Sequence, residues 1–90
     1  MAARTWTTTP EVAAAAGVAG VTVQDWSKRG VLPPYEIIHG GRRGKTSRWP
    51  LHAPAQAKWV KALLDEGHTF EEIRAKLAAG EFSTTQEGNG

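Results

Sequence analysis

The chain has 90 residues, no cysteine, and eleven basic against nine acidic side chains, a net charge of +2. That length supports one small domain with a thin core, in which each large apolar residue matters. Disulfide frameworks and thiolate metal sites are excluded, and neither a signal peptide nor an apolar run of bilayer length is evident, which points to the cytoplasm.

Residues 1–7 read as a short lead, with Trp6 expected to tuck under the first helix. Thr8-x-x-Glu11 fits a capping box, and Thr9 followed by Pro10 fits a cap with Pro at the first helical position. A first helix is predicted over 10–16, a turn over 17–20 and a second helix over 21–29, stopped by Gly30. Thr22 also stands where it could cap the second helix. Pro33 and Pro34 then forbid helix and set an extended path. Strands are predicted over 35–39 and 45–49 around a turn at 40–44, giving a β-hairpin with a basic tip. A third helix follows over 54–66, with Trp59, Val60, Leu63 and Leu64 on one face. Gly67 ends it. Thr69-Phe70-Glu71-Glu72 opens a fourth helix over 70–79, striped by Phe70, Ile73 and Leu77 and closed by Gly80. The expected domain is 1–80, and residues 81–90 lack the apolar content to order themselves. Trp26, Trp49 and Trp59 read as core, with Trp49 expected to lock the hairpin onto the third helix.

The stretch EVAAAAGVAGVTVQDW from Glu11 to Trp26 has the residue pattern of a helix-turn-helix. Two helices crossing steeply need a small side chain at the contact, which suits Ala13. The tight turn favours a residue tolerant of positive φ, which suits Gly17. Val12, Ala16, Val18, Val23 and Trp26 supply the inner faces. Val21, Thr22, Gln24, Asp25 and Lys28 remain outward on the second helix, the face that in such a motif enters a DNA major groove. Charge is polarised in the same region. Residues 24–48 hold six basic and two acidic side chains, and the remainder holds five and seven.

The order helix, turn, helix, basic hairpin, helix, helix resembles the DNA-binding domain of the MerR family of bacterial transcription regulators. The resemblance rests on Glu11-Val12-Ala13, Ala16-Gly17-Val18, Thr22-Val23 with Trp26, Arg29-Gly30-Val31-Leu32-Pro33, Arg48-Trp49, and the run Leu63-Leu64-Asp65-Glu66-Gly67-His68-Thr69-Phe70-Glu71-Glu72-Ile73. It implies a mainly α fold with a small β-hairpin, a winged helix-turn-helix, and a cytoplasmic protein at the bacterial nucleoid. In the family the second helix usually carries Arg followed by two aromatics, the first two touching the phosphate backbone. Here the positions read Gln24, Asp25 and Trp26. This removes a positive charge, adds a negative one, and implies a different base preference. Family members usually continue into a long dimerising helix and an effector domain. No heptad follows Gly80 here, so the expectation is a monomer resembling small single-domain relatives, among them excisionase-like factors and regulators that bind direct repeats head to tail.

Within the hairpin tip, Gly44-Lys45-Thr46 imitates the end of a phosphate-binding loop. That loop needs a glycine where His39 stands and a helix directly after the threonine, and Pro50 and a predicted strand intervene. As a wing the segment is coherent: glycines let the backbone approach, and Arg42, Arg43, Lys45 and Arg48 neutralise phosphates. An Arg there could also enter a narrow minor groove. On the second helix, Gln24 is the candidate base reader, since its amide can bond adenine N6 and N7 together. Asp25 either accepts from a cytosine amine or repels phosphate, Val21 and Thr22 can touch a thymine methyl, and Lys28 reaches phosphate. His39, His52 and His68 have no ligand spacing, so no metal and no cofactor is expected. Neither a Ser/His/Asp set nor a carboxylate pair points to an enzyme.

The expected function is therefore sequence-specific binding of double-stranded DNA in transcription regulation. An excisionase-like role in recombination is an alternative. So is a protein-interaction module, for which Asp65, Glu66, Glu71 and Glu72 could host a partner at the end formed by the third and fourth helices.

Overall fold

The computed structural model describes residues 6–39 and 45–82, apart from the side chains of His39, Lys45 and Thr46. In chain order the elements are β1 (Trp6–Thr7), α1 (Thr9–Ala16), α2 (Gly20–Lys28), β2 (Glu36–His39), β3 (Lys45–Pro50), α3 (Ala53–Asp65) and α4 (Phe70–Ala78). The fold is mainly helical with a small antiparallel sheet in the order β1-β3-β2.

Local chemistry sets the helix ends. Thr8 is the N-cap of α1, and its backbone N–H donates to Glu11 Oε1 at 3.1 Å. Thr9, the alternative cap, is instead the first helical residue and is buried. Gly17 ends α1 at φ 71°, ψ 34°, a left-handed conformation that costs glycine nothing, and the Val18 N–H returns to the Ala13 carbonyl at 3.0 Å. The N-cap of α2 is Ala19, so Thr22 sits inside the first turn rather than at the cap. Thr69 caps α4 as expected: its hydroxyl accepts from the Glu72 N–H at 3.1 Å, and Glu72 Oε1 accepts from the Thr69 N–H at 2.9 Å. That second bond lowers the pKa of Glu72.

Two expectations about packing are corrected. Trp6 does not tuck under α1; it lies in β1 opposite Pro50, adding a third strand to the hairpin. A two-residue strand is too short to show any periodicity in the sequence. On α3, the buried face is Ala53, Gln56, Ala57 and Val60, while Trp59, Leu63 and Leu64 pack on the core only partly buried. The reason is proximity. The helix α1 offers the small residues Val12, Ala13 and Ala16 to the core, and it packs closely on α3. Small residues on both helices allow that approach. The larger residues lie around this contact; the Trp59 ring meets Phe82 at 5.3 Å.

Gln56 earns its burial through a bond: its Nε2 donates to the Val31 carbonyl at 2.9 Å. Ser27 Oγ donates to the Pro33 carbonyl at 3.0 Å. These two side chains fix the extended step from α2 to β2, whose backbone groups have no ladder of their own.

Candidate nucleic-acid interface

The candidate reading helix is α2, and its two faces differ sharply. Val23 is fully buried and Trp26 is 4% exposed, whereas Val21 is 72% exposed. Asp25 and Lys28 are exposed, and Thr22 and Gln24 are half-buried. A bare valine at the head of a helix has no stabilising role toward the core, so α2 displays an outward surface of mixed apolar and polar character.

The hairpin stands beside it. Its strands pair in the register Glu36↔Arg48, Ile37↔Ser47, Ile38↔Thr46 and His39↔Lys45. Residues 40–44 join them, so Arg42 and Arg43 lie outside the described residues, as does the side chain of Lys45. Arg48 is exposed, with its guanidinium 5.4 Å from the Trp6 ring centroid and 3.7 Å from Glu36. Because Lys45 and Thr46 belong to β3, a strand stands where a phosphate-binding loop needs its helix.

The anchor of the hairpin is Trp49, fully buried and stacked on Tyr35 at 4.5 Å. Its indole N–H donates to Thr9 Oγ1 at 2.8 Å. The hydrogen bond ties the hairpin to α1, the first helix of the helix-turn-helix, while the indole also lies in the core that holds Ala53, Ala57 and Val60 of α3. The wing root and the turn of the motif therefore share one rigid support. Between Trp6, Pro34, Glu36, Arg48, Trp49 and Pro50 lies an open groove of about 200 Å³.

A bihelical motif with one bare face, braced against an antiparallel hairpin and two further helices, is the arrangement the sequence resemblance implied. A family model described as MerR HTH family regulatory protein matches residues 7–80. The chain belongs to the MerR family. It is thus a helix-turn-helix domain of DNA-binding transcription regulators, a family of regulators rather than of catalysts. No curated protein matches the chain. No helix among the described residues is long and apolar enough to cross a membrane, and no group of three or more metal-ligating side chains is found among them.

For this MerR-family domain, the electrostatics of α2 differ from the sequence expectation at Asp25. Its Oδ2 accepts from Arg29 Nε at 2.6 Å, an i,i+4 ion pair on the outward side of the helix. The carboxylate is thereby neutralised within the helix. Arg29 was not among the candidate residues, although its spacing from Asp25 is the signal that finds it. Its guanidinium also lies 4.7 Å from the Phe70 ring centroid of α4. Around the junction of α3 and α4 the acids are engaged internally. Asp65 pairs with Lys61 at 2.8 Å, and Glu66 and Glu72 flank His68 at 3.6 and 3.4 Å. Glu71 is exposed.

Proposed function

We propose that this domain binds double-stranded DNA sequence-specifically, with α2 in the major groove and the β2–β3 hairpin on the flanking backbone or minor groove. The observation that carries the reading is the bare outward face of α2 headed by Val21, with its opposite face locked into the core by Val23 and Trp26. In such a motif the N-terminal residues of the second helix meet base edges. Val21 and Thr22 contact a thymine methyl, and Gln24 reads an adenine through its amide. Lys28, Arg42, Arg43, Lys45 and Arg48 neutralise phosphates. Asp25 acts on the helix itself by holding Arg29. The binding unit spans 1–80 and works at the bacterial nucleoid. One module covers about half of a bipartite site, so useful affinity comes from head-to-tail neighbours on repeated half-sites.

Salt dependence and base preference test this together. Five phosphate contacts give a slope of log K against log salt of about −4 to −5. Gln24→Ala is expected to relax preference at one base pair, costing about 1–3 kcal/mol on the preferred site, while Arg42→Ala weakens all sequences alike. A slope near zero sinks the DNA reading. A change of base preference in Arg42→Ala but not in Gln24→Ala sinks the assignment of roles.

A further inference from the structure

Two arginines outside that interface are brought to one corner by the fold. Arg29 caps the C-terminal end of α2. Arg74 lies in α4, one helical turn after Phe70. Its Nη1 donates to the Arg29 carbonyl at 2.8 Å, a contact between residues 45 apart in sequence. Its stem crosses Gly30, where a Cβ would stand 3.1 Å from Arg74 Cδ. Gly30 also adopts φ +83°, so a side chain there is opposed both by backbone strain and by the arginine. Arg29 in turn is held by Asp25 on one side and by the Phe70 ring on the other.

Both arginines are exposed, and among the described residues no carboxylate lies within ion-pair distance of Arg74. A guanidinium has five N–H donors, and each of these two uses one in a hydrogen bond with the protein. The rest remain available on groups whose stems are already fixed. With Lys28 adjacent, and with Asp25 and the exposed Glu71 of α4 subtracted, the corner still keeps a net positive charge. The exposed carbonyls at a helix C-terminus repel anions; Arg74 answers this by taking the Arg29 carbonyl.

We propose that Arg29 and Arg74 together form a binding site for a phosphate of the DNA backbone, bridging the C-terminal end of α2 to α4. The site rests on the reading of α2 as the groove helix. At about 1.5 Å per residue, α2 is roughly 13 Å long, comparable with the width of the major groove, about 12 Å. With its N-terminal end at the bases, its C-terminal end reaches the phosphate wall. Asp25 is then a positioning residue that aims Arg29, and Gly30 keeps the corridor open for Arg74.

The experiment is a fluorescence-anisotropy titration of the full chain on a mixed-sequence duplex, with salt varied from about 50 to 200 mM. Phosphate contacts do not depend on sequence, so no operator is required. Arg29→Gln and Arg74→Gln are each expected to reduce the steepness of the salt slope, and the double variant, which loses the whole phosphate contact, by about 0.9, which shrinks the affinity loss across that range by about 3.5-fold. Arg29→Lys and Arg74→Lys keep the charge and the slope. Thermal melting confirms that each variant is folded. If Arg74 serves only to tie α4 to α2, Arg74→Gln lowers the melting temperature and the affinity but leaves the slope unchanged, and the proposal is overturned. Should Arg74→Gln fail to fold, Arg29→Gln decides alone, because it leaves the Arg74 bond to the backbone carbonyl in place. A parent slope near zero overturns both this site and the DNA reading. A steep parent slope, unchanged in folded Gln variants, overturns this site only.

Discussion

The hydrogen bond between Trp49 and Thr9 joins the wing to the helix-turn-helix, and a double-mutant cycle measures its strength. Thr9→Val is close to isosteric and leaves the indole N–H without an acceptor. Both groups are buried, so the expected loss is about 1–3 kcal/mol. Trp49→Phe removes the same bond and adds a cavity, because the indole is fully enclosed and stacked on Tyr35; about 2–3 kcal/mol is expected. Once Trp49 is replaced, the Thr9 hydroxyl has lost its donor, and changing it to methyl costs little more. The double variant is then more stable than the sum of the singles predicts, by about 1–2 kcal/mol. A domain of this size has a total stability of about 5–13 kcal/mol, so each single change remains measurable in a folded protein. Urea denaturation followed by far-UV circular dichroism supplies the four free energies, independently of the loss of one tryptophan fluorophore. Additivity within about 0.3–0.5 kcal/mol would show that the bond contributes nothing to stability and would refute the lock.

The same threonine governs a second substitution. A Cβ on Gly20 would stand 3.1 Å from Thr9 Cγ2, and Thr9 cannot give way while Trp49 holds its hydroxyl. Gly20→Ala is therefore expected to destabilise, despite a helix-propensity gain of up to about 1 kcal/mol. In a Thr9→Ser background, which keeps the hydroxyl and removes the methyl, it becomes neutral or stabilising; equal losses in both backgrounds, read by thermal melting, refute the steric account. A pH effect is expected at His52, whose pKa is lowered from its ordinary 6.5 by burial. The unfolded chain then takes up a proton before the native one does, so this contribution to stability is present above pH 6.5 and declines as the pH falls toward the lowered native value. His52→Gln is expected to flatten the melting temperature between neutral and mildly acidic pH; an unchanged pH profile contradicts the assignment.

The fold was legible wherever a local rule decides. Gly17 and Gly30 stop their helices for a backbone reason that a sequence shows directly, and Thr69 with Glu72 closes a capping box four residues long. Long-range partners were not legible. Thr9 reads as a helix cap until Trp49, 40 residues later, takes its hydroxyl. Nothing in the local sequence marks Gln56 for burial; the Val31 carbonyl, 25 residues away, accepts from its amide N–H. Hydropathy puts Trp59, Val60, Leu63 and Leu64 on one face of α3, and of these Val60 is fully buried. The close approach of two helices selects small residues, and the helix turns Ala53, Ala57 and Val60 inward.

The candidate site divides along the same line. Its outward positions on α2 follow from helical periodicity once Val23 and Trp26 are assigned inward, and Val21, Asp25 and Lys28 are exposed as that periodicity requires. What periodicity does not supply is the state of each charge. Asp25 looks like a repulsive acid beside DNA, yet the ion pair to Arg29 leaves the helix surface near neutral at that point. Removing the carboxylate does not simply add affinity, because it also frees Arg29 to swing from its seat over Phe70. The net result depends on whether the lost repulsion or the lost positioning is larger. An exposed i,i+4 pair contributes only about 0.3–0.5 kcal/mol to helix stability. Its energetic weight is small, and its consequence is geometric: it decides where the arginine's remaining N–H groups point.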